Sequence, residues 1–514
     1  MAGAIAVASW APYDFWPLAI LAYATLARLV ITAGSPLKAG LFGLVFGLTL
    51  HGVGQSWVYP LLHTRVGMSG LGAAASVGLF VGYLALFTAL PCALAARLGA
   101  SPSVRLAAFA GCLTVGEWAR TLFFNGFSGL SYGYALIDTP IAGLAATTGV
   151  YGLSLVGYAT SAFLAGAVDG AVSPRTVLAS TIGMIVLWVS GGLIARVDWV
   201  ADTGTRRSYV LLQTRIDSRG PPAALATLDT HVTRAPHAPT APHAALAEPL
   251  LRTLESHAAD LIIAGEGALG GVLGDLPEST LTRLRKTSRQ TGSDLLLGVA
   301  TLGSDGGLRN SLIHIAPNEQ TLPRYDKVRL LPFGEYVPYG YGAFTSRLGA
   351  AHRDLTPGSA SQSPLSIKAQ RLGVLLCSEE LLASRARASL PDATLLVSAA
   401  NLGWFRDGPM PERMLQIARM RSLEVGRPML RAGNFSVAAH IDHRGRMVDR
   451  LDLVVAGELR GVVRPTIGMT PFGRYGDALA IALALALLFC ARLSGQGYSR
   501  RAQPQRARRR LEVA

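Results

Sequence analysis

The chain has 514 residues, half of them hydrophobic and 15% charged, with a formal net charge of +15 at pH 7. That is too apolar for a set of ordinary water-soluble domains, and it puts most of the chain in lipid. The basic surplus does not indicate nucleic acid: seven Arg fall in one tail from Arg492 to Arg510 against the single acid Glu512, where they read as a cytoplasmic anchor.

Residues 1–16 open with an apolar stub, Ala2 to Ser9, about half the length of a spanning helix. No basic segment precedes it, which argues against a cleaved leader. The run Trp10-Ala-Pro-Tyr-Asp-Phe-Trp16 then reads as an interfacial turn. Apolar stretches follow near 17–33, 40–62, 70–96, 104–124, 141–168 and 176–195, and another lies near 476–493. Each approaches the roughly 20 residues that cross a bilayer. The expected organisation is a helical membrane domain over 1–196 (six spans plus the stub), a water-soluble domain over 197–465, a transmembrane helix over 466–495 and a basic tail over 496–514. Lys and Arg collect on the cytoplasmic side: Arg28 and Lys38, Arg97 and Arg105, and Arg175 mark alternate connections, whereas the intervening loops near 59–69 and 125–140 hold only Arg65. The 197–465 domain is therefore expected outside, in a bacterial periplasm.

Aromatic residues gather at the same outer face: Trp10, Tyr13, Phe15, Trp16, Trp57, Tyr59, Phe123, Phe124, Phe127, Tyr132 and Tyr134. They form either an ordinary interfacial belt or the wall of a cleft that receives lipid. Glu117 and Arg120, three apart on one helix, stand out as intramembrane charges that either satisfy each other or mark a transport path.

Between 197 and 465, strand-like runs alternate with helix-like ones, the pattern of an α/β sandwich. The strands are Tyr209–Gln213, Leu261–Ala264, Leu295–Ala300, Ser311–Ala316, Leu372–Cys377 and Thr394–Ser398. The helices are His243–His257, Glu278–Gln290, Glu379–Leu390 and Pro411–Val425. The His- and Pro-rich span Thr233–Pro242 fits no zinc spacing and reads as a loop. A second long loop, Val337–Gln362, carries Tyr339, Tyr341 and Phe344 and has the character of a lid.

Three polar residues end apolar runs within this domain: Glu266, Lys327 and Cys377. Cys377 is the domain's single thiol, so it cannot form a disulfide there; Cys92, Cys112 and Cys490 lie in expected spans as small buried hydrophobes. A carboxylate, an ammonium and a thiol converging at strand ends would supply a base, an oxyanion partner and a nucleophile.

The segments around these residues resemble the nitrilase superfamily, and with spans on both sides the chain resembles its membrane-embedded branch, the bacterial apolipoprotein N-acyltransferases. The most specific match is Tyr325-Asp-Lys-Val-Arg-Leu-Leu-Pro-Phe-Gly-Glu-Tyr-Val-Pro338. Others are Trp404-Phe405 after Asn401, the stretch from Gln416 to Arg431 leading to Asn434, and Pro12-Tyr-Asp-Phe-Trp-Pro17. The resemblance implies a polytopic helical membrane domain carrying an extracytoplasmic αββα sandwich. It implies Glu266 as general base, Lys327 as transition-state stabiliser and Cys377 as nucleophile, with Glu335 and Glu379 in support.

Trp57, Tyr339, Trp404, Phe405 and Asn434 become candidates for substrate contact, although Trp404 and Phe405 also suit core packing, Asn434 a turn and Glu379 a helix N-terminus. The implied reaction is ping-pong: Cys377 takes an acyl chain from a membrane phospholipid, phosphatidylethanolamine being typical, and the thioester passes it to the α-amine of a diacylglyceryl-cysteine on an apolipoprotein. No cofactor or metal is implied, and a monomer in the inner membrane is expected. A nitrilase-like amidase using water as acceptor shares the same three residues. The chain departs from the family pattern at Ala264-Gly265, where Trp-Pro commonly precedes the Glu. It departs also at Ser378 in place of Tyr, at Leu402 in place of Asp, and in Gly126-Phe-Ser-Gly129, which lacks the usual Pro and Trp.

Overall fold

The computed structural model describes residues 1–99, 101–124, 126–168, 173–215, 241–339, 354–406, 408–452 and 455–511. Most of the expected loops at 233–242 and 337–362 therefore lies outside the described residues.

The first half is helical: Pro17–Thr32, Pro36–Gly54, Gly70–Leu98, Pro102–Ala119, Ala145–Val168 and Pro174–Ile194. Ser35, Ser69, Ser101 and Ser173 start four of these helices, each hydroxyl accepting a hydrogen bond from a backbone N–H of the first turn. Three of the four are followed at once by Pro, whose fixed φ suits the first helical position. Among the described residues, four segments are long and apolar enough to cross a membrane: Pro36–Gly54, Gly70–Leu98, Pro140–Val168 and Pro174–Ile194; Pro17–Thr32 and Ala478–Ser494 are shorter apolar helices. The outer helix Pro174–Ile194 exposes Leu178, Ile182, Ile185, Val186 and Val189, a face that only lipid would cover. Helices Pro36–Gly54 and Gly70–Leu98 approach closely because Gly47 has no side chain: a Cβ there would stand 2.8 Å from Ala85 Cα.

Several expectations for this half are corrected. The apolar run 40–62 is not one helix: it stops at Gly54, and short turns over Val58–Pro60 and Leu61–Arg65 carry the chain onward. Trp10, Tyr132 and Tyr134 do not line a cleft, since all three are fully buried. Trp10 donates its indole N–H to Ser131 O at 2.9 Å, and Tyr132 stacks on Tyr23. Glu117 receives Tyr132 N at 2.5 Å and the Tyr158 hydroxyl at 3.1 Å, while Arg120 reaches Ser131 Oγ at 3.2 Å. Both charges thus hold the bundle's outer turns together. Cys490 is exposed, unlike Cys92 and Cys112.

The second half is built on fourteen strands among the described residues. β1 (Val200–Asp202) pairs with β14 (Thr466–Gly468). β2 (Arg207–Thr214), β3 (Leu261–Ile263) and β4 (Asp294–Leu302) run parallel, and β5 (Leu308–Ile315) and β6 (Arg324–Asp326) continue antiparallel. β8 (Gln370–Leu376), β9 (Leu395–Asn401) and β10 (Met429–Asn434) form a second parallel set, edged by β7 (Leu365–Ile367). The sets join where β10 pairs with β2, at Gly433–Gln213 and Asn434–Thr214. β11 (Ala439–Ile441) and β12 (Met447–Arg450) extend from β10, and β13 (Gly457–Val463) from β2.

Side chains alternate across each strand, and the core follows that alternation. Tyr209, Leu211, Leu372, Val374, Leu376, Val397 and Leu430 fill the space between the two sets. Val210 and Leu212 face outward onto Leu250, Leu254 and Leu284 of helices Ala241–Glu255 and Glu278–Thr291. Leu375 and Leu396 face Leu415 and Ala418 of helix Met410–Val425. The result is an αββα sandwich. The expected helix Glu379–Leu390 is instead a 3-10 turn, Cys377–Leu381, then an extended Leu382 and a short helix Ala383–Ala388. The break follows from burial of two successive carboxylates, Glu379 and Glu380, each anchored to a different partner.

Candidate active site

The parallel strands β3, β8, β9 and β10 end at one edge of the sandwich, and the polar residues that terminate them meet there. Gly265 lets the chain leave β3 against the neighbouring backbone: a Cβ at this position would lie 2.5 Å from Gly433 Cα. This contact explains why no larger side chain precedes Glu266. Glu266 Oε1 then accepts from Asn310 Nδ2 at 2.5 Å and Oε2 from Asn401 N at 2.9 Å.

Lys327 follows β6 and is buried, its Nζ 2.8 Å from Glu335 Oε2 and 3.5 Å from Glu266 Oε1. Asn310 Nδ2 also donates to Glu335 Oε1 at 2.9 Å, so one amide orients both carboxylates around the ammonium. Burial by itself would favour neutral lysine, but the Glu335 and Glu266 charges outweigh it and hold Lys327 above its ordinary range. It is a fixed cation, suited to stabilising negative charge and unsuited to acting as a base.

Cys377 follows β8 with φ +50°, a left-handed conformation that costs a non-glycine residue on the order of 1 kcal/mol. It is buried, and its thiol lies 3.9 Å from Asn401 O. The Asn401 main chain thus touches the thiol through its carbonyl and Glu266 through its N–H. Burial, and then the Glu266 charge, push the Cys377 thiol well above its ordinary range, with Lys327 opposing. These surroundings favour the neutral thiol over the thiolate. Replacing Glu266 with Gln removes a charge that disfavours thiolate, so iodoacetamide alkylation of Cys377 is expected to begin at lower pH in Glu266→Gln than in the wild type. A pH series of alkylation rates followed by mass spectrometry checks this; an unchanged profile would mean that the carboxylate charge does not reach the sulfur.

Glu379 is not a simple helix-terminus acid. It is fully buried and accepts hydrogen bonds from Leu376 N at 3.0 Å, Val328 N at 3.0 Å, Arg329 N at 3.1 Å and the Tyr325 hydroxyl at 2.9 Å, with Arg385 Nε 3.5 Å away. One carboxylate therefore fastens the backbone after Lys327 to the backbone before Cys377. Adjacent Glu380 turns the other way, into a buried pair with Arg431 at 2.8 Å.

The remaining candidates divide. Trp57, from the helical half, packs edge-on against Phe405 with ring centroids 5.1 Å apart. Trp404 Nε1 is buried with no hydrogen-bond partner among the described residues. Asn434 donates to Asn401 Oδ1 at 3.1 Å and accepts from Thr214 Oγ1 at 3.1 Å, which places it behind the cluster as a brace for Asn401. Tyr339 is fully exposed and is not brought to the cluster. Further along the chain, Leu355 N donates to Glu335 O and Gly358 N to Lys327 O, both at 2.8 Å. Asn310 escaped the sequence reading, and Asn401 and Tyr325 entered it only as parts of matched segments, with no role of their own. No clear signal marked Asn310, since it stands among the polar residues Arg309 and Ser311 of β5.

Cys377 packs in the same apolar cluster as Leu130, Tyr132 and Tyr134 of the helical half, together with Leu381, Leu402 and Met410. The thiol thus sits where the sandwich meets the membrane helices.

Comparison with known proteins agrees with this architecture. A family model described as the apolipoprotein N-acyltransferase N-terminal domain matches residues 2–163, and one described as carbon-nitrogen hydrolase matches residues 232–457. An apolipoprotein N-acyltransferase of Ralstonia nicotianae is 32% identical over 503 residues, covering 95% of this chain and 91% of the relative. Those of Nitrosomonas europaea and Methylococcus capsulatus are 31% and 32% identical over 497 and 506 residues, covering 96% of this chain and 96% and 94% of the relatives. With relatives matched along nearly their whole length, a helical half apolar enough for a bilayer and a carbon-nitrogen hydrolase sandwich set against it, the chain belongs to the apolipoprotein N-acyltransferase family.

Proposed function

We propose that this protein N-acylates lipoproteins in a bacterial inner membrane, with its sandwich domain on the periplasmic side, and that it does so by a ping-pong reaction on Cys377. The Cys377 thiol attacks an acyl ester of a membrane phospholipid, phosphatidylethanolamine being the favoured donor, while Glu266 takes the thiol proton. An ammonium has three donors. Glu335 and Glu266 engage two on Lys327, and a third serves the tetrahedral oxyanion. Collapse of the intermediate expels the lysophospholipid alkoxide, which recovers the proton from Glu266. The α-amine of an S-diacylglyceryl cysteine at the acceptor's N-terminus then attacks the thioester, Glu266 accepts the amine proton, and the thiolate leaves and is reprotonated.

The observation that carries this reading is the position of Cys377: beside the Glu266–Lys327–Glu335 cluster, yet in one apolar cluster with the helical half. Each CH₂ drawn out of a bilayer costs about 0.8 kcal/mol, so substrates carrying acyl chains react most readily at a thiol reachable from lipid.

The acceptor decides between transfer and hydrolysis. Purified protein in phosphatidylethanolamine vesicles, given an S-diacylglyceryl-cysteinyl peptide, is expected to add one acyl chain to the peptide amine and release lysophospholipid in equal amount. Release of fatty acid with the peptide unmodified would assign the protein to water-accepting hydrolysis instead.

A further inference from the structure

The turn that carries the strained Cys377 backbone is held by the sandwich, through Glu379 and Glu380, and also from the membrane half. On the strand side, Glu379 accepts Leu376 N. On the other side, the 3-10 turn Cys377–Leu381 ends at Leu381, whose carbonyl accepts the hydroxyl of Ser128 at 2.6 Å. Ser128 lies 253 residues away, in the loop between helix Pro102–Ala119 and the short helix Tyr132–Ala135 of the membrane half, and is buried.

The hydrogen-bond directions along this contact are fixed by chemistry. A carbonyl only accepts, so the Ser128 hydroxyl donates to Leu381. Its oxygen then accepts from the Tyr134 hydroxyl, 3.0 Å away. Tyr134 in turn accepts from Arg421 Nη2 at 3.1 Å, and Arg421 pairs with Glu424 at 3.2 Å. Glu424 Oε1 accepts Val150 N at 2.8 Å, capping the straight part of helix Ala145–Val168 just after its non-helical Gly149. Arg421, Tyr134 and Ser128 therefore donate in one direction, from a buried cation to the end of the turn that carries the nucleophile. Bonds aligned this way polarise one another.

We propose that Ser128 is a positioning residue for acyl transfer: through Leu381 it fixes the Cys377 turn relative to the membrane helices, so that the thiol keeps its attack geometry toward an ester arriving from the bilayer. This inference rests on Cys377 being the acylated residue. Several polar ties cross this boundary, among them Arg413 to Gly54 O and Arg419 to Asp138, but among the described residues the Ser128 hydroxyl is the one that reaches the Cys377–Leu381 turn, and an alanine would leave both Leu381 O and the Tyr134 hydroxyl without that partner.

The test is single-turnover acylation of purified protein by phosphatidylethanolamine in vesicles, read as the adduct mass on Cys377 across a range of lipid concentrations. Ser128→Ala is expected to lower the maximal acylation rate about tenfold, the effect of one lost hydrogen bond, with the half-saturating lipid concentration unchanged. Ser128→Thr, which keeps the hydroxyl, restores the rate. Tyr134→Phe, which breaks the relay one step earlier, lowers it about threefold and serves also if Ser128→Ala does not fold. A wild-type maximal rate in Ser128→Ala or Tyr134→Phe, a Ser128→Thr as slow as alanine, or a change confined to half-saturation would overturn the proposal. Absence of a Cys377 adduct in the wild type would instead overturn the reading of the nucleophile on which it rests.

Discussion

Cys377→Ala is expected to insert in membranes and fold, yet to form no acyl-enzyme, with N-acylation falling by roughly 10⁴-fold or more, as for other covalent nucleophiles. The substitution isolates the sulfur. Alanine keeps a β-carbon, so the cost of φ +50° is the same in both proteins and backbone strain is not a variable. The side chain is buried but small, and loss of one sulfur atom from a packed site costs on the order of 1 kcal/mol. Thermal unfolding should therefore shift only slightly while radiolabelled acyl transfer vanishes. A hydroxylamine-sensitive label retained on the alanine variant would contradict the assignment.

Lys327→Met is expected to damage both rate and stability, and the two losses separate by a second substitution. The ammonium is buried between Glu266 and Glu335. Loss of one oxyanion partner typically slows the chemical step about 10²–10³-fold. Loss of one member of a buried ion pair strands the other and typically destabilises by about 3–5 kcal/mol. Glu335→Gln in the Lys327→Met background removes the stranded charge while retaining an acceptor for Leu331 N, which now bonds Oε2 at 2.7 Å. Unfolding measurements should show much of the stability regained, and acylation assays should show no recovery of rate. Recovery of both together would make Lys327 a structural cation without a part in the chemistry.

Much of the fold was legible because its signals are local. The apolar stretches expected from 104 and 176 start within two residues of helices Pro102–Ala119 and Pro174–Ile194, and β2, β4, β5 and β8 each hold a run of consecutive buried residues, most of them apolar. Glu266, Lys327 and Cys377 stood out as polar residues closing such runs. What escaped depends on partners distant in sequence. β10 contains Arg431, which in sequence suits a turn as well as a site, and its buried partner Glu380 lies 51 residues earlier. Glu379 could be read as an acid near the nucleophile, but not as the clamp between two backbones, because Val328 and Arg329 come from another strand end. Trp10, Tyr132 and Tyr134 were misplaced for a related reason. Aromatic residues near the ends of apolar runs usually sit at the membrane surface, whereas here the chain folds back over them and satisfies Trp10 with the Ser131 carbonyl. The helix end at Gly54 was hidden because apolar residues resume at Trp57 and Val58 after only Gln55 and Ser56.

The central claim is that the acyl chain passes through a thioester on Cys377. The most direct measurement is peptide mapping by mass spectrometry of the purified protein after exposure to phospholipid without an acceptor. The expected result is one fatty acyl adduct on the peptide containing Cys377, removed by hydroxylamine and discharged on addition of an S-diacylglyceryl-cysteinyl peptide. An adduct on Cys92, Cys112 or Cys490, or acyl transfer to the peptide with no adduct on the protein at any time, would contradict it.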